Sequence, residues 1–219
     1  MSDFFDVGII TAAFPMLWRG LLTTLALSAL VVPLGLAAGL ILALLSTARS
    51  RFVRWAVIGW TDLFRAFPPL VLLILLYGGL PFAGLELGGV ACMAIAFFLN
   101  TGSYYVEVIR AGMESIPAGQ SEAARSLGLG AWQTLRKIIL PQALRLVLPD
   151  LVSNTLEVVK LTSLASVVAV PELLYQARQA QSLTYNPSPI FAAAVLYAVA
   201  LWPIVKILRR LEQRAVLSR

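Results

Sequence analysis

Residues Leu21 to Leu45 read LLTTLALSALVVPLGLAAGLILALL and contain no charged side chain. A helix that crosses the hydrocarbon core of a bilayer needs about 20 mainly apolar residues, and only Pro33 and small residues interrupt this run. Gly35 and Gly39 lie four residues apart, a spacing that lets a second helix pack closely. The run therefore predicts a transmembrane helix, and it indicates that lipid is the solvent for much of the chain.

The composition of the whole chain is that of a membrane protein. Its 219 residues are 59% hydrophobic and 13% charged, whereas about a quarter of the residues in a soluble domain are charged. The net charge of +6 does not indicate nucleic-acid binding, because the basic residues lie between apolar runs rather than along one stripe. With no histidine and one cysteine, Cys92, the chain lacks the commonest metal ligand and general base, and an internal disulfide is excluded.

Four further stretches are apolar enough and long enough to span the membrane. They run from about Ala56 to Leu80, Gly88 to Val108, Leu144 to Val170, and Pro189 to Leu208. With the first stretch they predict an all-α fold, a polytopic membrane bundle of five transmembrane helices in a single domain over residues 1–219.

Most lysine and arginine residues lie on one side of the predicted spans. One set of connections contains the basic residues at 49–54, 110–145 and 206–219, whereas the other set contains little beyond Arg19 and Arg178. Cytoplasmic loops of inner-membrane proteins carry the excess of basic residues. We therefore expect the N-terminus outside and the C-terminus in the cytoplasm.

The cytoplasmic loop before the fourth span, at about residues 110–144, is helical in pattern but polar. Ser121 precedes a run of helix-forming residues and is the expected N-cap, and Gly128 follows that run. A second short helix is expected over Trp132–Leu140, where Pro141 interrupts it.

Part of this loop, Gln120–Pro141, reads QSEAARSLGLGAWQTLRKIILP. It resembles the signature loop of binding-protein-dependent ABC importer permeases, which has Glu-Ala-Ala, three residues, Gly, nine residues, Ile, one residue and Leu-Pro. Every one of these positions is filled, from Glu122 through Gly128 to Pro141. The resemblance implies a coupling loop (residues 110–144) that contacts an ATPase; the alternative is an amphipathic surface helix.

Three other segments resemble the permeases for polar amino acids. Phe64–Val71 is similar to their FRGTP segment, and Ser103–Gln120 resembles their segment ending in SIPxGQ. Leu144–Leu164 resembles their run ending in TSL, although Leu161 replaces a common Asp. The resemblance implies a five-helix fold similar to the methionine-importer permeases, in the bacterial inner membrane, working as a homodimer or heterodimer.

The resemblance also assigns roles within the coupling loop. The chain has no GxxxxGK(S/T) phosphate loop, so ATP and Mg²⁺ are expected on a partner ATPase, with no cofactor and no catalytic site in this chain. Small residues would let the first loop helix sit in a cleft of the ATPase, Glu122 would cap that helix or pair with a basic group, and Gly128 would supply a turn conformation closed to other residues. The expected coupling residues are Gln120, Glu122, Ala123, Ala124, Arg125, Leu127 and Gly128.

Charged residues at membrane depth are costly and commonly functional. Glu157 and Lys160 lie three residues apart and share a helix face, so they could bind the two charges of a zwitterion or form a structural ion pair. Arg65 and Glu107 are further candidates, and Arg65 is assigned mainly to packing or to a gate. The expected substrate pathway is lined by Asn100, Ser103, Asn154, Glu157 and Lys160.

The segment Pro171–Pro189 between the last two spans is polar and amphipathic. It could be the docking surface for a periplasmic substrate-binding protein, or a simple connector between spans.

The sequence thus predicts the permease subunit of an ATP-driven importer for a polar amino acid or a related zwitterion. Its expected partners are ABC ATPase subunits, a second permease subunit, a periplasmic binding protein and membrane lipid. A dimeric ion-coupled secondary transporter or channel is the main alternative, and the coupling loop argues against it. A membrane enzyme is not favoured, because no HExxH or GxSxG pattern occurs.

Overall fold

The structure is a computed structural model that describes residues 5–217, and within them all regular elements are helical. Helix α1 (Val7–Leu45) is capped by Asp6, whose carboxylate accepts hydrogen bonds from the N–H groups of Gly8 and Ile9. At 1.5 Å per residue its 39 residues extend about 58 Å, well beyond the roughly 30 Å core of a bilayer. The first predicted span is confirmed as part of α1, but the helix itself begins at Val7, well before Leu21.

The second predicted span is broken rather than continuous. Helix α2 (Arg51–Ala66) ends before two prolines, and helix α3 (Pro69–Ile74) continues as a π turn and a 3₁₀ turn to Ala83. The two halves are bent by 96°. Because Pro68 disfavours the α conformation in the residue before it, Phe67 adopts φ −76° and ψ 127° and ends α2.

Helix α4 (Gly89–Glu114) covers the third predicted span and leads into the coupling loop. The loop contains helix α5 (Ala118–Ser126), helix α6 (Ala131–Thr134), a π turn (Leu135–Ile139) and helix α7 (Leu140–Leu146). The start of α5 corrects the predicted cap: Pro117 is the N-cap, so Ser121 lies inside the helix.

Pro141 does not interrupt the second loop helix, contrary to the prediction. The π turn lies just before it, and the Leu140 N–H donates to the Leu135 carbonyl five residues back. The chain remains helical through Pro141 to Leu146, and the π turn just before Pro141 is the kind of local adjustment that accommodates a proline inside a helix.

Helix α8 (Leu148–Leu161) and a 3₁₀ segment (Thr162–Val168) form the fourth span. Helix α9 (Leu173–Thr184) then leads to helix α10 (Ser188–Leu217). Among the described residues, four helical segments are long and apolar enough to cross a membrane, and α2 with α3 makes a fifth if the bent pair is one span. The predicted all-α membrane bundle is confirmed.

Helices α1 and α4 pack closely in the middle of the bundle, as the glycine spacing predicts. A Cβ atom on Gly35 would lie 2.5 Å from Thr101 Oγ1, and one on Gly39 would overlap the Cβ of Tyr105. Tyr105, Cys92 and Phe97 of α4 are fully buried in the main apolar cluster.

The connections gather at two opposite ends of the bundle. At the basic end, the turn after α1, the start of α2, the end of α4 and helices α5 and α6 surround a cavity of about 880 Å³. At the distal end, the Asp6 N–H donates to Ser188 Oγ at 2.8 Å, and Gly20 lies against Leu173. The start of α9 therefore lies beside Gly20 and the residues after its end lie beside Asp6, so α9 is antiparallel to the first half of α1.

Candidate coupling loop and substrate pathway

Helix α5 lies on the surface of the basic end, and most predicted coupling residues face outward. Ala124 is the exception: it is only 4% exposed and packs into the chain. Leu127 is 82% exposed although it is a large apolar side chain. The exposed coupling residues are Gln120, Glu122, Ala123, Arg125, Leu127 and Gly128.

Glu122 does not cap the helix. Because α5 begins at Ala118, Glu122 lies in the second turn, where its backbone carbonyl accepts a hydrogen bond from the Ser126 hydroxyl at 3.1 Å. Its side chain is exposed, so pairing with a basic group of a partner stays a prediction.

Gly128 ends α5 in the left-handed region, with φ +79°. The Leu129 N–H donates to the Ala124 carbonyl at 3.1 Å, and the Gly128 N–H donates to the Arg125 carbonyl at 2.9 Å. This pair of bonds is the Schellman motif, whose left-handed position is normally glycine. The expected special turn conformation at Gly128 is confirmed.

The coupling loop is fixed to the ends of two spanning helices. Ile139 and Ala143 pack in one apolar cluster with Ala43 of α1 and with Ile109 and Met113 of α4. These side chains are nearly or fully buried. Displacement of the loop therefore acts directly on α1 and α4.

A cavity of about 250 Å³ lies between α3, α4 and α8; most of its lining surface is apolar, and we name it the polar cavity for the polar residues that contribute to it. It brings together Asn100, Asn154 and Glu157 of the predicted pathway, along with Thr101 and Tyr104. Ser103 does not line it, because this residue is fully buried and its hydroxyl donates to the Asn100 carbonyl.

Asn100 serves both the polar cavity and the break between α2 and α3. Its side-chain Nδ2 donates to the carbonyls of Phe64 at 2.8 Å and Phe67 at 3.0 Å, which the helix end leaves without helical partners. Asn100 Oδ1 is buried and has no hydrogen-bond partner among residues 5–217. The amide therefore holds the bend, while its oxygen is unpaired and shielded from solvent.

Asn154 and Glu157 supply the complementary groups on α8. Asn154 Nδ2 is buried near the Tyr105 hydroxyl but makes no hydrogen bond of normal geometry within the described residues. Glu157 Oε2 lies 2.8 Å from Lys160 Nζ, and the two side chains are 57% and 49% exposed. The predicted pairing of Glu157 with Lys160 is confirmed, although Lys160 itself lies outside the cavity lining.

Between the polar cavity and the basic end lies a network of alternating charges. Glu107 pairs with Arg110 at 2.8 Å and lies 3.6 Å from Arg65 of α2. Arg110 also pairs with Glu114 at 2.6 Å, and the Arg65 guanidinium lies 5.6 Å from the centre of the Tyr104 ring.

Glu172 is a structural residue that the sequence reasoning missed. It is fully buried at the distal end and caps α9, accepting hydrogen bonds from the N–H groups of Leu174 and Tyr175 and from the Tyr197 hydroxyl at 2.7 Å. Burial raises the pKa of the Glu172 carboxyl, and these hydrogen bonds partly oppose the rise. The only local signal is an acidic residue just before a helix.

The amphipathic segment 171–189 contains helix α9, and its polar face is open. Arg178, Gln179 and Ser182 line a cavity of about 440 Å³ together with Tyr175 and Ser166. The Ser166 contribution comes from the 3₁₀ segment that follows α8.

Comparison with known proteins assigns the chain to one family. The model of the family described as binding-protein-dependent transport system inner membrane component matches residues 33–216. The probable amino-acid ABC transporter permease protein YckA of Bacillus subtilis (strain 168) is 36% identical over 197 residues, which are 89% of this chain and 87% of that protein.

Solved structures show the same architecture. A crystal structure of an amino acid ABC transporter with histidines superposes with a TM-score of 0.88 and 32% identity, over 95% of this chain and 98% of that one. An inward-facing structure of the MetNI methionine ABC transporter gives a TM-score of 0.76 at 21% identity, over 91% of this chain and 96% of that one, which supports the expected fold.

Proposed function

The chain belongs to the family of binding-protein-dependent transport system inner membrane components, and we propose that it imports a polar amino acid or a related zwitterion. It is a multi-pass inner-membrane permease subunit of an amino-acid ABC transporter and not itself an enzyme. ATP is used by a partner ATPase. Membership in this family decides against the ion-coupled transporter considered from the sequence.

In the proposed orientation the basic end faces the cytoplasm, as the distribution of lysine and arginine favours. The ATPase then binds the exposed face of α5, with Leu127 as an apolar anchor beside Glu122 and Arg125. Support for this assignment comes from the exposure of those side chains and from the attachment of the loop to α1 and α4.

The polar cavity is the proposed substrate site, and its complementary free groups carry the proposal. Asn100 Oδ1 and Asn154 Nδ2 are unpaired but shielded in this conformation. Once the two amides turn toward a bound solute, the oxygen would accept a hydrogen bond from its ammonium group and the nitrogen would donate one to its carboxylate. Glu157 adds a negative charge to the lining, and Lys160, its ion-pair partner at 2.8 Å, adds a positive charge next to the cavity. A cavity of about 250 Å³ is slightly below the range of roughly 300–1,000 Å³ of drug-sized sites, as suits a small solute.

The alternative role of Glu157 and Lys160, a structural ion pair, has little energetic support. Both side chains are about half exposed in this chain, and where they face a water-filled pathway such a pair contributes about 0–1 kcal/mol to stability. The pair is therefore free to exchange its partners for those of a zwitterion.

Two further partners complete the proposal. The open polar face of α9, with Arg178 on it, suits the docking of a soluble binding protein at the distal end. The half-exposed Glu157 and Lys160 side chains suit a second permease subunit, identical or different, that closes the pathway from the other side.

The test is ATP-driven uptake of radiolabelled L-histidine into proteoliposomes that contain the permease with its ATPase and binding protein. Lys160→Gln should raise the KM for L-histidine at least tenfold, because it removes the proposed carboxylate partner. The same variant should narrow the preference for L-histidine over histamine, which lacks the carboxylate. Lys206→Gln is the matched control, since Lys206 lies on α10 against Trp202.

The readouts separate the two roles of the pair. A structural role predicts a lower yield and stability with an unchanged KM for the remaining protein. An unchanged KM and an unchanged preference between L-histidine and histamine in Lys160→Gln would refute the substrate role of Lys160.

A further inference from the structure

The face of α4 that lines the polar cavity continues as a charged stripe toward the basic end. Tyr104 lines the polar cavity, and Arg110 and Glu114 line the cavity of about 880 Å³ at the basic end. Glu107 lies between them, three residues from Tyr104 and three from Arg110, so it shares their helix face. Glu107 thus lies between the two cavities along α4.

Arg65 of α2 reaches that same level from across the bundle. Its guanidinium lies 3.6 Å from Glu107 Oε2 and above the ring of Tyr104. The side chains of Arg65 and Glu107 are 39% and 32% exposed in this chain, so neither is sealed inside its own helix bundle. A charged bridge between α2 and α4 therefore lies where a solute would pass from one cavity to the other.

The bridge is weak enough to open reversibly. Its contact is long, at 3.6 Å, whereas the contacts of Arg110 with Glu107 and Glu114 are 2.8 and 2.6 Å. Partly exposed ion pairs gain little because water solvates the separated charges. The shorter contacts lie within α4, so Glu107 keeps its position when Arg65 leaves.

The position of Arg65 is tied to the polar cavity through Asn100. The Asn100 amide donates to the carbonyls of Phe64 and Phe67, which flank Arg65 in the sequence. Asn100 Oδ1 is the free acceptor proposed for the substrate. A solute that moves this amide therefore acts on the helix end that carries Arg65.

We propose that Arg65 and Glu107 form the inner gate of the pathway, an ion pair that a zwitterion opens by replacing each partner with its own opposite charge. The carboxylate of the solute then faces Arg65 and its ammonium group faces Glu107. This inference rests on the proposed function, because it takes the polar cavity as the substrate site.

The gate is tested by access of water to the polar cavity, without any substrate. Leu161, which lines that cavity, is replaced by cysteine in a Cys92→Ala background that removes the one native thiol. The permease is kept in its complex with the ATPase in inside-out membrane vesicles, and a membrane-impermeant maleimide is added. The Cys92→Ala, Leu161→Cys protein is the parent for all further variants. We expect Arg65→Gln or Glu107→Gln, each added to this parent, to raise the rate at which the maleimide labels the introduced cysteine about two- to fivefold, as suits the loss of a weak ion pair.

Matched variants show whether the effect belongs to this ion pair. Glu114→Gln removes another carboxylate that pairs with Arg110 but does not reach α2, so labelling should stay at the parental rate. Arg65→Lys keeps the charge and should also label slowly. An equal rise in Glu114→Gln, or no rise in either gate variant, would overturn the proposal.

A measurement on the parent covers the case in which the gate variants fail to assemble. Because salt screens partly exposed charges, labelling of the parent should quicken as KCl is raised from about 0.05 M to about 0.5 M, and a flat response would overturn the gate. ATP-driven uptake of L-histidine by the same parent, measured separately, tests the proposed function. If L-histidine is taken up but the labelling rates do not change, the gate is refuted and the proposed function stands. If the labelling rates change as expected but L-histidine is not taken up, only the choice of substrate is refuted.

Discussion

Replacement of Gly128 tests whether the end of α5 is what the ATPase recognises. Gly128 has φ +79°, and a Cβ atom added to it would meet no atom within 4 Å. Gly128→Ala therefore introduces no clash, and its whole cost is that of an L-residue in the left-handed region, about 1–2 kcal/mol. That cost lowers the ratio of chains in which α5 ends in the Schellman motif to chains in which it ends in another conformation about 5- to 30-fold.

The apparent affinity for the ATPase follows that population, because a partner that binds one conformation loses affinity as its fraction falls. We expect Gly128→Ala to weaken ATPase binding to the permease in nanodiscs by up to about 5- to 30-fold. Coupled hydrolysis should fall with it, while insertion into the membrane stays normal. Gly128→Asn should lose less, because asparagine enters the left-handed region more readily.

Gly130 provides the matched control. It lies two residues further on, is equally free of neighbours, and has φ −68° and ψ 161°, which any L-residue adopts. Gly130→Ala should therefore bind the ATPase as the native chain does. Equal losses in Gly128→Ala and Gly130→Ala would refute the reasoning, since backbone conformation would then not be the cause.

Two further predictions concern stability. Gly39→Ala places a methyl group onto Tyr105 and should destabilise the detergent-solubilised complex by about 1–3 kcal/mol in thermal unfolding, whereas Gly59→Ala, which meets no neighbour, should not. Glu172 has a raised pKa in the folded chain, so the folded state holds its proton at a higher pH than the unfolded state does. The contribution of Glu172 to stability is therefore largest below the unfolded pKa near 4.5 and is lost as the pH rises through the folded pKa. Over this pH range the thermal stability of the native chain should fall relative to that of Glu172→Gln. A difference between the two that stays constant with pH would contradict the reasoning.

The spans were predictable because a bilayer imposes one simple requirement, a long apolar run, on each of them. The coupling loop was predictable from its spacing, and Gly128 from the need for a left-handed residue after a helix. Neither kind of information reports how a helix is bent. The α2 helix ends at Phe67 because Pro68 follows it, within a stretch whose hydropathy alone predicts a continuous span.

The roles of Asn100 and Glu172 could not be read from their neighbours in the chain. The carbonyls that bind Asn100 lie 36 and 33 residues away, and the Tyr197 hydroxyl lies 25 residues from Glu172. Each polar group is buried by helices that meet only in the folded bundle. Periodicity and motif spacing describe one helix at a time, so they do not identify a partner that a different helix supplies.

Helix α4 connects the candidate coupling loop with the proposed substrate pathway. At its basic end, Ile109 and Met113 share a cluster with the coupling loop, and a Cβ atom on Gly112 would lie 2.6 Å from Val147 at the start of α8. Further along, α4 carries Glu107 and then Asn100. Tight packing transmits a displacement rather than absorbing it. A movement of the coupling loop therefore reaches α4 and α8 together, and these are the two helices that contribute Asn100 and Asn154 to the lining of the polar cavity.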